Sequence, residues 1–217
     1  MRKENNKRMK KGFTLVEMLV VIGIIAVLIG ASVAAYGPVT RQAQRARGQE
    51  LVTNMKDALE FVLQKEDSWP LAIRSAGSGV EGLMDERVAA SLVKYGALTM
   101  DYVRTEGPDG EPILTLTGVG HYGILSPWAE AVVRQRIGGG GSVGDSTVIP
   151  SGGTVGDHRL RFAVDHDYDG RVEVSVSARG KKQNTTVRAS ACVWCCGYDG
   201  KFGTKDDIYS WGGAQEE

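Results

Sequence analysis

The chain has 217 residues, with 26 basic and 26 acidic side chains and 29 glycines, which fits one domain with an appendage, richer in turns and short strands than a helical bundle. Its zero net charge hides an asymmetry: residues 1–12 hold Arg2, Lys3, Lys7, Arg8, Lys10 and Lys11 against Glu4, net +5, and the other 205 residues carry −5. Such an acidic body lacks the cationic surplus that phosphates demand, which argues against a nucleic-acid partner, and three cysteines are too few for a disulfide framework.

After the basic head comes Gly12, and then the apolar run Phe13–Tyr36, uncharged from Met18 onward. As a helix the run is roughly 36 Å long, enough to cross a bilayer. The Lys/Arg cluster before it holds that end in the cytoplasm. One simple reading is a secretory signal peptide with a small-residue cleavage site at Ser32-Val33-Ala34, although the apolar core exceeds the usual ~7–15 residues. Another is a plain membrane anchor. Neither accounts for Glu17, because a carboxylate inside a membrane span costs about 2.5–3.5 kcal/mol at mid-helix, less near the end, and needs a partner.

The segment Lys10-Lys11-Gly12-Phe13-Thr14-Leu15-Val16-Glu17-Met18-Leu19 resembles the prepilin signal of type IV pilins and type II secretion pseudopilins. The resemblance implies that a prepilin peptidase cuts between Gly12 and Phe13 and methylates the new Phe13 amine. It further implies that Glu17 pairs with the Phe13 amine of a neighbouring subunit in a fibre. An amine and a carboxylate, each costly in hydrocarbon, relieve one another when paired. A glycine at position 12 suits a narrow protease cleft that takes extended backbone.

Gly37-Pro38 follows, where the lost hydrogen bond predicts a kink or local unwinding. Beyond it Ala43, Ala46, Leu51, Met55, Ala58, Leu59 and Val62 recur at helical spacing, so an amphipathic helix over 39–66 should lay one face on a head domain. Trp69-Pro70 ends it. Met84–Tyr95 has the spacing of a short helix, and Ile113-Leu114-Thr115-Leu116-Thr117 alternates like a strand. The glycine-rich stretch from Gly138–Gly141 to Gly156 reads as a flexible loop. Leu160–Val164, Val172–Ser177 and Val187–Trp194 read as strands of an antiparallel meander. The fold class is therefore α+β: a long N-terminal helix, transmembrane in its first half and amphipathic in its second, on a small antiparallel sheet. The expected divisions are a leader at 1–12, a fibre-core helix at 13–37 and a pilin-like head at 38–217, with an acidic loop at 197–211.

Two acidic turns stand out. Asp165-His166-Asp167-Tyr168-Asp169-Gly170 starts like a calcium loop, but loop position twelve is Val176 rather than a bidentate Glu, so a plain hairpin turn competes. Gly197–Trp211 brings Asp199 back toward the adjacent Asp206 and Asp207, two carboxylates that repel unless a cation lies between them. This second loop is similar to the C-terminal calcium loop of the type II secretion major pseudopilin. That resemblance implies Asp199, Asp206 and Asp207 as Ca²⁺ ligands, leaving Asp165, Asp167 and Asp169 as the weaker alternative. A solvated acidic turn is the competing reading.

Cys192, Cys195 and Cys196 lack a second ligand pair for zinc, and on a strand Cys192 and Cys195 point to opposite faces. They read as small buried residues. His121, His158 and His166 are scattered, and no motif of nucleophilic or metal-assisted catalysis is present, so the chain reads as a non-enzyme. The expectation is a structural subunit of a type II secretion pseudopilus or a type IV pilus. Its partners are its own copies, the prepilin peptidase, an inner-membrane assembly platform with its ATPase, and other pilins or pseudopilins. It waits as a single-pass protein of the cytoplasmic membrane with the head outside the cytoplasm, then enters a periplasmic or extracellular fibre. The alternative is a monomeric, membrane-anchored, calcium-stabilised envelope binding domain.

Overall fold

The structure, a computed structural model, describes residues 13–77, 79–98, 102–106, 112–116, 124–138, 146–178 and 181–211. The expected leader, with Gly12, lies outside them. The chain divides into two compact units, Met1–Gln42 and Ala43–Glu217.

Helix α1 spans Leu15–Glu66 and so contributes to both. In the first unit the described side chains from Phe13 to Val39 are all exposed. The unwinding expected at Gly37-Pro38 does not occur: α1 runs through Pro38. Proline removes one backbone donor, while the Thr40 hydroxyl donates to the carbonyls of Tyr36 at 3.0 Å and Gly37 at 2.9 Å and keeps that turn tied.

In the second unit α1 buries Val52, Met55, Ala58, Leu59 and Val62, one stripe at three- and four-residue steps. Ala43 and Ala46, expected in that stripe, are exposed. Helix α2 (Leu71–Gly77) follows Trp69-Pro70, then strand β1 (Gly82–Leu83) and helix α3 (Glu86–Lys94). The Asp85 carboxylate caps α3 by accepting from the Val88 N–H at 2.9 Å. Gly96, with φ +76°, closes its other end, as Gly96 N–H and Ala97 N–H donate to the carbonyls of Val93 and Leu92. Strands β2 (Tyr102–Glu106) and β3 (Pro112–Leu116) form a hairpin, and helix α4 covers Pro127–Gly138.

The remaining strands are β4 (Arg161–Val164), β5 (Val172–Ala178), β6 (Lys181–Val187), β7 (Ala191–Cys195) and β8 (Ile208–Tyr209). They do not form the expected meander. The main sheet has the order β1-β4-β7-β8, and β5 pairs with β6 as a separate hairpin. The strand expected over Val187–Trp194 is two pieces, because residues 188–190 turn between β6 and β7. Partner choice follows from burial on both faces. Phe162, Val164, Val193 and Cys195 pack toward α1, α2 and α3. Ala163, Cys192 and Trp194, at the alternate positions, pack with Val172 and Val174 of β5. Strand β7 is thus buried at all five positions, as a strand between two layers must be. The long helix on an antiparallel sheet confirms the α+β class.

Of the expected flexible loop, residues 139–145 lie outside the described set. From 146 to 158 the chain is folded: Val148 bridges Thr154, and the Asp157 carboxylate accepts from the Thr154 N–H and hydroxyl, both at 2.8 Å. Leu59, fully buried at the junction of α1 with this core, gives the direct test of the packing. Leu59→Ala should cost about 2–5 kcal/mol and lower the melting temperature of the full chain by roughly 5–15 °C. A shift under a degree would contradict the arrangement.

Candidate functional site

The helix start is the first site. Thr14-Leu15-Val16-Glu17 is a capping box: Glu17 Oε2 accepts from the Thr14 N–H at 2.8 Å and from its hydroxyl at 2.9 Å, and the Glu17 N–H donates to Thr14 Oγ1 at 3.2 Å. Phe13 beside it is 77% exposed. Glu17 therefore sits on a surface of exposed apolar residues and has Thr14 of its own chain as its described hydrogen-bond partner. The helix is long and apolar enough to cross a membrane.

The second site is the turn after β4. Among the described residues, Asp165, Asp167 and Asp169 are the acids whose carboxylate oxygens all lie within 4.8 Å of one another. The buried Asp165 carboxylate already accepts from the N–H groups of Asp169 at 3.2 Å and Gly170 at 2.7 Å. Asp169 accepts from the Arg171 N–H at 2.8 Å. These bonds close a tight turn, with Tyr168 at φ +61° and Gly170 at φ +79°. Trp69 fastens it from below, donating its backbone N–H to the Tyr168 oxygen at 3.0 Å and its indole N–H to the Asp165 carbonyl at 2.6 Å.

The third site is the loop between β7 and β8, where the chain brings Asp199, Asp206 and Asp207 around one hydroxyl. Thr204 Oγ1 lies 2.5 Å from Asp206 Oδ1, 3.3 Å from Asp207 Oδ1, 3.4 Å from Asp199 Oδ1 and 3.3 Å from the Lys201 carbonyl. A hydroxyl has one proton to donate, so four acceptor oxygens converge on a single donor. Asp207 is buried and also accepts from the Gly203 N–H at 2.6 Å and the Tyr209 hydroxyl at 3.0 Å. Burial pushes its carboxyl above the ordinary carboxylate range, and the Gly203 and Tyr209 donors oppose that shift. Sequence reading missed Thr204 and the Lys201 carbonyl; an Asp-Gly turn with a Thr before two acids was the available signal.

Behind this loop stands a buried cluster with no counterpart in the sequence reading. The fully buried His158 places Nδ1 2.7 Å from Ser126 Oγ and Nε2 2.8 Å from the Gly152 carbonyl. The Gly200 backbone packs on Gly152, where a Cβ on either glycine would strike the other's segment. Ser126 is also fully buried, so this Ser–His contact fastens loops and meets no substrate. Cys192, Cys195 and Cys196 are free and buried, on opposite faces of β7 for the first two. Burial pushes the Cys192 thiol up to about 12 and the other two higher still, which leaves all three unreactive near neutrality.

Burial lowers the His158 pKa, opposed by its bond to the Gly152 carbonyl and by Asp157 and Asp199. A folded pKa below the unfolded ~6.5 means that the unfolded chain binds more protons at acid pH. Stability held above about pH 6.5 should therefore fall as pH drops below it. Thermal melts across pH 5–8 should show this loss, and His158→Gln should flatten it; an unchanged slope in that variant would contradict the assignment.

The prokaryotic N-terminal methylation motif matches residues 7–33. The chain is 30% identical over 92 residues to a fimbrial protein of Neisseria meningitidis serogroup B, covering 42% of this chain and 54% of that protein. It is 32% identical over 109 residues to the type IV major fimbrial protein FimA of Dichelobacter nodosus, covering 49% and 63%. It is 31% identical over 93 residues to the type IV major pilin protein PilE1 of Neisseria gonorrhoeae, covering 42% and 56%. The chain spans little more than half the length of these curated relatives. No solved structure matches it. The methylation motif at the head of a long apolar helix, together with these relatives, makes the N-terminal part of the chain similar to type IV pilins.

Proposed function

We propose that the chain is the structural subunit of a type IV pilus-class fibre and performs no chemistry itself. A prepilin peptidase cuts it between Gly12 and Phe13 and methylates the Phe13 amine. The apolar helix waits in the cytoplasmic membrane with the head outside the cytoplasm. An assembly platform and its ATPase then draw it into a fibre of its own copies and related pilins. The observation that carries this reading is Glu17, a carboxylate on an exposed apolar helix next to Phe13. In the free chain Thr14 holds that carboxylate; in the fibre the Phe13 amine of a neighbour takes it over, which sets subunit register and relieves two costly charges together.

We also propose that the loop carrying Asp199, Asp206 and Asp207 holds Ca²⁺. The crowding of four acceptor oxygens on the Thr204 hydroxyl supports this, because hard oxygen donors in a flexible cage are the calcium chemistry. The Asp165 turn is the alternative site, since Asp165, Asp167 and Asp169 bring carboxylate oxygens within 4.8 Å of one another. The calcium loop also favours a second reading, a subunit of a type II secretion pseudopilus, with the same helix mechanism.

Glu17→Ala should abolish fibres in the protein's own cells while leaving chain level and melting temperature unchanged. Normal fibres would sink the pairing, and would favour a monomeric anchored envelope domain if wild-type fibres were also absent. For calcium, melting the detergent-solubilised full chain at ~100 times the dissociation constant should add about 2.7 kcal/mol, or about 5–10 °C. Asp206→Ala/Asp207→Ala should remove the shift and Asp167→Ala/Asp169→Ala should keep it. No shift, or the reverse pattern, would refute this loop as the site.

A further inference from the structure

Resting on the fibre reading above, we propose that neighbouring heads join end to end. The acidic turn Asp165–Gly170 of one copy docks on the basic end of a second copy, formed by Arg45, Arg47, Lys201 and Lys205.

The two ends are fixed by contacts within the head. Trp69, just beyond the C-terminal end of α1, holds the acidic turn through its two hydrogen bonds to Tyr168 and Asp165. The loop bearing Lys201 and Lys205 is held at the other end of the head's part of α1, where Gly48 packs on Ile208 and the Gln49 side chain donates to the Tyr209 carbonyl at 3.3 Å. Between Gly48 and Glu66 the helix rises about 27 Å, so the turn and the lysine loop cannot pair within one molecule.

Their charges are complementary. Asp167 and Asp169 are exposed, as are Glu66 and Asp67 nearby. The cations on that side include Arg171, Arg188, beside the Val172–Val187 pair, and Lys65, and Lys65 Nζ is engaged with the Tyr95 carbonyl at 2.9 Å. At the other end Arg45, Arg47, Lys201 and Lys205 are exposed. Of the acids there, Asp207 is buried, Asp199 and Asp206 turn in on Thr204 and Asp157 is held by Thr154, leaving Glu50 and Asp157 exposed. Among the described residues no acid pairs with those four cations and no base with Asp167. Tyr168 stands 52% exposed at the centre of the turn, offering a ring face to a guanidinium or ammonium group.

A contact between different ends of identical chains is head-to-tail. It does not close on itself, so it propagates as a filament. Exposed ion pairs of this kind fix register more than they add affinity, which leaves the bulk of the cohesion to the apolar helices.

The test reverses charge at each end in the full-length chain in its own cells. Asp167→Lys/Asp169→Lys and Lys201→Glu/Lys205→Glu should each lower sheared-fibre yield about fivefold, the effect of losing two exposed ion pairs. Combining the four changes should restore it. A calcium role for Asp167 and Asp169 would give no such rescue. Reversal variants that assemble like wild type, or a combined variant no better than either parent, would overturn the proposal while wild-type fibres keep the fibre reading standing; absence of wild-type fibres would overturn that reading itself. As a second readout independent of variant yield, Asp167→Cys with Lys201→Cys should give a ladder of covalent oligomers on treatment of intact fibres with a short bismaleimide. No ladder would contradict the contact.

Discussion

A single carboxylate on an otherwise uncharged apolar surface sets the conditions under which the first half of α1 can be buried. Wherever the first half of α1 is buried, in lipid or among other helices, Glu17 must have a partner. Within the chain it has Thr14, whose N–H and hydroxyl both reach it. That arrangement caps the helix and satisfies one oxygen, but supplies no positive charge. A neighbouring amine supplies both. In the fibre we propose, the difference between those two pairings gives the helix its preference for other copies over lipid, in an environment where apolar packing alone offers little preference.

The head answers a different constraint. A short sheet that carries a helix layer on one face must cover its other face as well. The β5–β6 hairpin does so, leaving its polar side exposed and turning Val172 and Val174 onto Trp194. This two-sided burial explains why β7 carries two cysteines as small apolar volume with no disulfide: Cys192 and Cys195 fill opposite faces, and their thiols are held protonated by burial. It also places β8 and the acidic loop against the Gly48 end of the helix.

The sequence made some of this legible for physical reasons. The apolar run, the capping box with its glutamate, and the stripe from Met55 to Val62 are local patterns, and local patterns survive into the fold. Helix α3 was readable because its cap and its spacing agree. The strand order was not readable. Lys181-Lys182-Gln183-Asn184-Thr185-Thr186 forms most of β6 yet has no apolar alternation, because Gln183 to Thr186 are exposed on both faces and the pairing with β5 supplies the order. Helix α4 went unread although Ser126-Pro127 is a common helix start; the Ser126 hydroxyl serves His158 instead. The chain stays helical through Pro38 because the proline's missing donor is a single hydrogen bond, which a long helix carries. The acids of the candidate cation loop were legible as residues, whereas the Thr204 hydroxyl that gathers them is a product of the fold.

The central claim is that this chain becomes a fibre subunit only after a cut that exposes the Phe13 amine. The most direct measurement is the mass and first residue of the mature protein purified from its own cells. The account predicts a chain that begins at Phe13 with one added methyl on its amine. A chain that begins near Ala35, or one that retains Met1, would contradict it and would leave Glu17 without the partner on which the fibre depends.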